Sequence, residues 1–175
     1  MNDADAQALL RAAVPAAEGE TWADLGAGTG VFSRALATLI GPAGQVIAVD
    51  TDRRALASIR APGGPSASIE TVVGDVSRPL ALPPLDGVVM ANVLHFIRHA
   101  DDALVRVAAL LRPGGRLIVI EYDGRRANPW VPYPLDAARL MELAAGTGFT
   151  PPRVVAARPS RFGGEIYVAV AERAA

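Results

Sequence analysis

Asp24-Leu25-Gly26-Ala27-Gly28-Thr29-Gly30 is the stretch that decides how the other residues of this 175-residue sequence are interpreted. It follows a short apolar run and precedes residues 31–40, where apolar side chains recur at helical spacing. Glycines between a strand and a helix allow unusual backbone dihedral angles and let a ligand press against bare backbone. Unpaired N–H groups at the start of the following helix favour an anionic group. The pattern predicts a strand–turn–helix unit that binds a ligand.

The spacing between this turn and the next acidic residue at the end of an apolar run is informative. Asp50 ends a second apolar run, residues 45–49, and lies twenty residues after Gly30. In nucleoside-binding α/β folds an acid at this place accepts hydrogen bonds from ribose hydroxyls. The glycine spacing is Gly-x-Gly-x-Gly and not the Gly-x-Gly-x-x-Gly of dinucleotide-binding proteins, which argues against a nicotinamide enzyme. The simpler alternative is a tight turn followed by a helix that Asp50 caps.

Short apolar runs alternate with helical patterns along the chain, which is typical of βαβ units around a parallel sheet. We predict strands at residues 21–25, 45–49, 69–73, 85–91, 116–122, 153–157 and 164–171, and helices at 3–17, 31–40, 52–60, 101–111 and 135–145. Only a few residues around Pro159 to Phe162 join the last two strands. Because so short a connection cannot make a parallel crossover, the final strand is expected to run antiparallel.

Length and composition favour a single globular domain over residues 1–175, with an N-terminal helix within 1–20 and a lid loop at 123–134. A net charge of −1 without a basic run argues against nucleic-acid binding. The absence of cysteine excludes disulfides, thiolate metal sites and cysteine nucleophiles. No signal-peptide pattern and no apolar run of ~20 residues is present, so we expect a soluble, cytoplasmic protein away from the membrane. No paired histidine and carboxylate spacing indicates a metal site.

Several motifs in this order resemble those of class I S-adenosylmethionine-dependent methyltransferases. They are residues 24–30, Val46 to Asp50, Gly74-Asp75-Val76, residues 91–96, residues 111–117 and residues 145–149. The resemblance covers nearly the whole chain. It implies a Rossmann-like α/β fold, with helices on both faces of a seven-stranded, mostly parallel sheet. The implied strand order is 3-2-1-4-5-7-6 with strand 7 antiparallel, in agreement with the tight final connection.

The resemblance also implies S-adenosylmethionine as cofactor, S-adenosylhomocysteine as product, and no metal. The cofactor-binding residues that it implies are Asp24, Gly26, Ala27, Gly28, Gly30, Asp50, Thr51, Asp75, Val76 and Asn92. Among these, Asp24 is expected to interact with the ammonium of the methionine moiety. Asp75 as a helix cap and Asn92 as a turn residue are the structural alternatives.

Two residues are candidates for the chemistry. Methyl transfer from a sulfonium is an in-line displacement that depends mainly on alignment, and a general base is needed only for a protonated, weakly acidic acceptor. His95, just after the fourth strand, is the candidate base and is expected to face the cleft. Glu121, at the end of the fifth strand, is expected to orient a substrate amine or hydroxyl. The alternatives are a His95 packed at a helix start and a Glu121 paired with a nearby arginine.

Together these features predict a methyltransferase that acts on the oxygen or nitrogen of a small-molecule acceptor. The short segments before strand one and after strand five leave the cleft thinly covered. Such a cleft suggests a lid shared across a homo-oligomer, a bulky acceptor, or an acceptor held by a partner protein. The alternative function is a catalytically inactive protein that binds the cofactor or regulates a partner on the same fold.

Overall fold

The computed structural model describes residues 1–15, 19–160 and 163–174, and within these ranges a seven-stranded sheet forms the centre of the molecule. The strands are β1 Thr21–Leu25, β2 Gln45–Asp50, β3 Ser68–Val73, β4 Leu85–Ala91, β5 Leu111–Asp123, β6 Arg153–Pro159 and β7 Glu165–Glu172. The helices are α1 Asp3–Leu10, α2 Val31–Ile40, α3 Arg53–Ala57, α4 Ala100–Leu110 and α5 Ala137–Ala144, with a 3₁₀ turn at Leu94–Phe96.

The sheet has the strand order β3-β2-β1-β4-β5-β7-β6, and β7 runs antiparallel to both of its neighbours. The expected fold, strand order and antiparallel last strand are therefore confirmed. From β1 the chain builds outward to β2 and β3, and then returns to place β4 on the other side of β1. Ligands of open α/β sheets bind at such a reversal, outside the carboxyl ends of the strands.

Both faces of the sheet are covered, because side chains alternate between the faces along each strand. Trp22 and Ile118 point to the face that packs against α1 and α2. Ala23 and Leu117, their neighbours in the chain, point to the face that packs against α4 and α5. This burial on two sides explains why β1, β2 and β4 are nearly continuous apolar runs.

Several element boundaries differ from the sequence-based prediction. Helix α1 ends at Leu10 instead of residue 17, since Ala13 and Val14 both donate to the Leu10 carbonyl and Pro15 disfavours a helix before it. Residues 16 and 17 of the predicted helix lie outside the described residues. Strand β5 begins at Leu111 and not at residue 116, because the segment that leads into it pairs with the end of the chain. There the Gly114 amide donates to the Arg173 carbonyl at 3.0 Å.

The bounds of α3 and α5 also differ from the prediction, and each of these helices begins directly after an aspartate that caps its N-terminus. The Asp136 side chain accepts a hydrogen bond from the Arg139 amide at 2.7 Å, so α5 starts at residue 137 instead of 135. Asp52 caps α3 in the same way, and this helix ends at Ala57 instead of residue 60. None of the helices in the described ranges has the length and apolar character needed to span a bilayer.

A tight contact in the sheet yields a stability test. A Cβ atom on Gly87 would lie 2.4 Å from ring carbons of Trp22, which is fully buried on the neighbouring strand. We expect Gly87→Ala to lower the free energy of unfolding by about 1–3 kcal/mol, because the core has no room for the methyl group. Urea unfolding followed by circular dichroism measures this change.

Gly63→Ala is the matched control, since a Cβ there would meet no heavy atom within 4 Å. This control should change the free energy of unfolding by less than about 0.5 kcal/mol. Equal effects of the two substitutions would contradict the tight packing of Gly87 against Trp22.

Candidate active site

The glycine turn is fixed to the end of the neighbouring strand by backbone hydrogen bonds. The amides of Gly26 and Ala27 donate to the carbonyl of Val49 at 2.8 and 2.9 Å. The amide of Gly28 donates to Oδ2 of Asp50 at 2.8 Å. These three bonds fold the turn over the carboxyl end of β2, and so place the acid of β2 directly beside the turn.

Two of the turn glycines cannot be replaced without displacing a neighbour. Gly26 has a φ of +83°, and a Cβ there would lie 2.3 Å from a methyl group of Val93. Gly30 has a φ of +81°, and a Cβ there would lie 2.8 Å from the side chain of Ile59. The sequence therefore uses glycine both for a left-handed backbone and for close packing beneath the turn.

A cavity of about 610 Å³ opens at this edge of the sheet, within the range of about 300–1,000 Å³ usual for small-molecule sites. Six of the residues predicted to bind the cofactor line it: Gly26, Asp50, Thr51, Asp75, Val76 and Asn92. The other four do not line the cavity. Asp24 lies beneath the turn, and Ala27, Gly28 and Gly30 are part of the turn itself. The structure thus separates residues that face the cavity from residues that shape the turn.

Asp24 lies beneath the turn, and its buried carboxylate is bonded within the protein. Oδ2 accepts a hydrogen bond from the Ser33 hydroxyl at 2.6 Å, and Asp24 is only 1% exposed. Burial raises the pKa of Asp24 to about 6, hydrogen bonds from Ser33 oppose that rise, and the negative charge of Asp50 adds to it. Asp24 supports the start of α2 through Ser33, and its contact with the ammonium of the methionine moiety, directly or through water, stays a prediction.

Asp50 and Asp75, two of the three carboxylates that line the cavity, are oriented by local hydrogen bonds. Oδ1 of Asp50 accepts from the Asp52 amide at 2.8 Å, in addition to the Gly28 bond to Oδ2. Oδ1 of Asp75 accepts from both the amide and the hydroxyl of Ser77, which lowers the pKa of Asp75. A carboxylate offers about four acceptor positions, so both side chains retain capacity for donors of a ligand.

Asn92 follows β4 in a strained conformation. Its φ is +57°, the only positive value at a non-glycine among the described residues. Its amide donates to the Ile120 carbonyl, and its Oδ1 is buried without a hydrogen-bond partner. A strained residue with an unsatisfied buried acceptor at a cavity is typical of a binding site, since a ligand donor would satisfy it.

The sequence-based prediction missed one wall of the cavity. His99, Asp102 and Arg106 line it from the start of α4, at helical spacing, so they share one face of the helix. His99, Asp101 and Asp102 also bring their ligand atoms within 4.8 Å of one another, but all three are exposed side chains at a helix start. The spacing of polar residues on α4 was a usable signal, yet nothing in the sequence showed which face turns towards β4.

His95 and Glu121 form a buried pair. Nδ1 of His95 and Oε2 of Glu121 are 2.6 Å apart, and the His95 amide approaches Oε1 of the same carboxylate at 3.3 Å. The side chains are only 4% and 1% exposed. Their positions differ from the prediction, because the ring does not line the main cavity and Glu121 pairs with the histidine and not with an arginine. Within the described part of the chain, no hydrogen bond engages Nε2 of His95.

The segment after β5 covers this pair. The Tyr133 amide donates to the His95 carbonyl at 2.9 Å, and the Tyr167 hydroxyl donates to the Leu135 carbonyl at 2.9 Å. Burial raises the pKa of Tyr167, and the nearby carboxylate of Glu121 adds to the rise. A second cavity of about 300 Å³ lies between this segment, the 3₁₀ turn and α5. The covering segment is thus bonded at Tyr133 and Leu135, near its C-terminal end, and bounds a cavity of its own.

A family model of a methyltransferase domain matches residues 23–119, more than half of the chain. The chain belongs to the methyltransferase domain family. The matched residues run from β1 to the middle of β5 and contain the glycine turn, all ten cofactor-binding residues that the resemblance implies, and His95. Members of this family use S-adenosylmethionine, and that is the cofactor of this methyltransferase domain.

Known proteins agree with this assignment. The domain is 35% identical over 104 residues to the ubiquinone/menaquinone biosynthesis C-methyltransferase UbiE of Pseudomonas savastanoi, covering 57% of this chain and 41% of that protein. The chain therefore spans about two fifths of the curated relatives it matches. A methyltransferase structure from Methanosarcina mazei aligns with a TM-score of 0.73 at 18% identity, covering 94% and 96% of the two chains. The structure of human N-acetylserotonin methyltransferase in complex with S-adenosylmethionine aligns with a TM-score of 0.72 at 19% identity. The alignment covers 98% of this chain and 52% of that chain. At such identities the two structures support the fold.

The residues present fit the cofactor. The volume of the cavity is in the range for a small-molecule ligand, and Asp50 and Asp75 have further acceptor positions. Oδ1 of Asn92 is a buried acceptor without a hydrogen-bond partner among the described residues. Asp50 would hold the ribose hydroxyls, and Asp75 with the Val76 backbone would hold the adenine. Asn92 would accept from the amino end of the methionine moiety. When bound, S-adenosylmethionine supplies a methyl group activated by a sulfonium.

The raised pKa of Asp24 predicts a pH-dependent stability. Because the folded pKa of about 6 exceeds the usual value of 3.8, the folded state binds more protons between these pH values, and stability falls as pH rises through them. Asp24→Asn removes this charge but can still accept from Ser33. We expect the free energy of unfolding of this variant to exceed that of wild type by about 2–3 kcal/mol at pH 7 and by much less at pH 4.5.

Urea unfolding at the two pH values measures the difference. Asp101→Asn, on the exposed start of α4, is the control and should follow wild type at both. A difference between Asp24→Asn and wild type that is the same at pH 4.5 and pH 7 would contradict a buried, raised carboxyl at position 24.

Proposed function

We propose that this domain transfers the methyl group of S-adenosylmethionine to a carbon atom of a small-molecule acceptor, with His95 as general base. The observation that carries the proposal is the buried His95–Glu121 pair, in which Nδ1 of the ring and Oε2 of the carboxylate are 2.6 Å apart. Phe96 lines the first cavity and Leu94 lines the second, so the two chain neighbours of His95 each form part of a cavity wall.

The hydrogen-bond pattern gives each member of the pair a role. With its proton on Nδ1, His95 donates to Glu121 and leaves the lone pair of Nε2 available to accept a proton. The carboxylate fixes this tautomer and the ring orientation, and it stabilises the imidazolium that proton transfer creates. Glu121 therefore acts as a positioning residue, and His95 is the group that would meet the acceptor.

The proposed step exchanges a proton on the acceptor carbon for the methyl group. The acceptor C–H bond breaks, its proton goes to Nε2 of His95, and its electron pair forms the new C–C bond to the methyl carbon. The C–S bond breaks at the same time, its electron pair stays on sulfur, and S-adenosylhomocysteine leaves. Alignment of the acceptor carbon with the methyl–sulfur bond is the main contribution of the fold, and such orientation is worth roughly 7–11 kcal/mol. Proton removal by a positioned base adds roughly 10²–10⁴-fold in rate.

A carbon acceptor fits the pair better than the nitrogen acceptor expected from sequence, and the names of the relatives favour carbon over the oxygen acceptor. A neutral amine carries its own lone pair and needs no base before attack, whereas a carbon acid must lose a proton to become a nucleophile. The relatives that are 35% identical over 104 residues are named C-methyltransferases, which supports the same choice. The alternative of an inactive cofactor-binding protein predicts cofactor affinity without turnover.

The cofactor assignment is tested by isothermal titration with S-adenosylmethionine and S-adenosylhomocysteine, with NAD as a comparison ligand. We expect micromolar affinity for both adenosyl compounds and none for NAD. Asp50→Ala should weaken the binding of both at least tenfold, because it removes the acceptor for the ribose hydroxyls and the partner of the Gly28 amide. Asp101→Ala is the control and should bind as wild type does. A well-folded protein that binds neither adenosyl compound would exclude the proposed function.

Turnover is tested with ¹³C-methyl-labelled S-adenosylmethionine and a panel of phenols, hydroquinones and 1,3-dicarbonyl compounds. The ¹³C chemical shift of the product distinguishes methyl groups on carbon, oxygen and nitrogen, and we expect methyl on carbon. His95→Gln should lower kcat at least about 100-fold, while affinity for S-adenosylhomocysteine stays within threefold. Glu121→Gln keeps a hydrogen bond to the ring but loses the charge, so it should lower kcat and shift its pH profile.

Both variants need a check of folding, because the pair is buried. Circular dichroism and S-adenosylhomocysteine affinity serve this purpose, since a folded variant retains the cofactor cavity. A product methylated only on oxygen or nitrogen, or a folded His95→Gln variant with the kcat of wild type, would contradict a carbon acceptor with His95 as base.

A further inference from the structure

The second cavity has a composition that indicates what it binds. Its wall is mostly apolar, formed by Leu94, Ile97, Leu135 and Leu143 together with the ring of Pro132. Its volume of about 300 Å³ lies at the lower end of the range for small-molecule sites. A space of this kind favours a small apolar molecule, because transfer of apolar surface from water is favourable.

The charged residues at this cavity are all of one sign. Arg98 and Arg139 line it, and no acidic residue of the described chain does so. The guanidinium of Arg139 is already paired with Glu142 at 2.8 Å. Arg98 is exposed and makes no ion pair within the described ranges, so its guanidinium is the one available to a ligand.

The second cavity is also placed for the reaction. Ile97 and Arg98 line both cavities, so the two spaces meet at these residues. Leu94, next to His95 in the chain, faces the second cavity, and the Tyr133 amide binds the His95 carbonyl from the opposite wall. The second cavity therefore shares two wall residues with the first and is bounded by residues adjacent or hydrogen-bonded to His95.

From these observations we infer that the second cavity is the acceptor site and that it takes a small apolar carboxylate, whose anionic oxygens are bound by Arg98. A guanidinium presents a planar fork of donors that matches the two oxygens of a carboxylate. The apolar body of the acceptor lies among Leu94, Leu135 and Leu143. This inference rests on the proposed function and adds the substrate class and the residue that selects it.

The geometry favours a carboxylate over two other classes of acceptor. A cationic amine would meet two arginines and no carboxylate in the second cavity, so like charges would oppose its entry. A neutral apolar molecule would fill the same space but would leave the Arg98 guanidinium without a partner. Selection between an acid and its neutral analogue is therefore the property that separates the alternatives.

The probe for this site is 2-naphthoate, with 2-naphthamide as a neutral analogue of almost the same shape. Both are titrated calorimetrically into the domain that has been saturated with S-adenosylhomocysteine. We expect 2-naphthoate to bind at least about tenfold more tightly than 2-naphthamide, a difference of about 1.4 kcal/mol. Arg98→Gln should remove this difference by weakening the naphthoate about tenfold and leaving the naphthamide unchanged.

Two further variants complete the test. Leu143→Phe fills part of the cavity and should weaken both probes, while S-adenosylhomocysteine affinity stays within threefold. Arg153→Gln, on the exposed part of β6 away from the second cavity, is the matched arginine control and should leave both probe affinities unchanged.

Equal affinity for the acid and the amide, or a naphthoate affinity that Arg98→Gln does not lower, would overturn the inference. So would the failure of both probes to bind. In each of these cases binding of S-adenosylhomocysteine and methylation of a carbon acceptor would leave the proposed function intact. Loss of S-adenosylhomocysteine binding in wild type would instead contradict the proposed function itself.

Discussion

The carbonyl of Val49 accepts hydrogen bonds from two successive amides of the glycine turn, those of Gly26 and Ala27. This shared acceptor holds the end of β1 to the end of β2, and the site depends on it. If the turn moved away, Asp50 would lose the Gly28 amide that orients it, and Gly26 would lose its contact with Val93. The cavity floor is therefore set by backbone hydrogen bonds, which side-chain substitution alters only where a Cβ atom intrudes.

A second chain of contacts organises the other side of the site. Glu121 is buried on β5, and burying a carboxylate is unfavourable unless it is paired and hydrogen-bonded. His95 satisfies it with both its ring and its backbone amide. Glu121 also lies opposite Tyr167 in the ladder between β5 and β7, and the hydroxyl of Tyr167 binds the Leu135 carbonyl. One buried acid thus links the turn after β4, the antiparallel strand β7 and the segment that covers the pair.

The sequence predicted the sheet well because its signals are local. Apolar runs marked the strands, and the short link before β7 determined its direction. The predicted start of β5 was wrong because it depends on a distant partner, through the bond between Gly114 and Arg173, whereas the end of α1 is set locally by the bonds to the Leu10 carbonyl. Asp50 and Asp75 could be placed at the cavity because they end strands or follow them directly. Arg106 could not be placed, since spacing alone does not say which side of a helix turns to a ligand, and Arg98 lies in the irregular link before α4, for which the sequence has no periodicity to interpret.

The two cavities draw on different parts of the chain, and this has a consequence for how such domains diversify. The family match ends at residue 119, whereas Pro132, Leu135, Arg139 and Leu143 of the second cavity follow it. The donor-binding part and much of the acceptor-binding part are thus encoded by separate, consecutive stretches of sequence. Mutation of the later stretch can exchange one acceptor for another while the shared cofactor machinery stays intact. Relatives that share the pattern of the first 120 residues or so can therefore share the type of methyl transfer and still differ in the acceptor molecule.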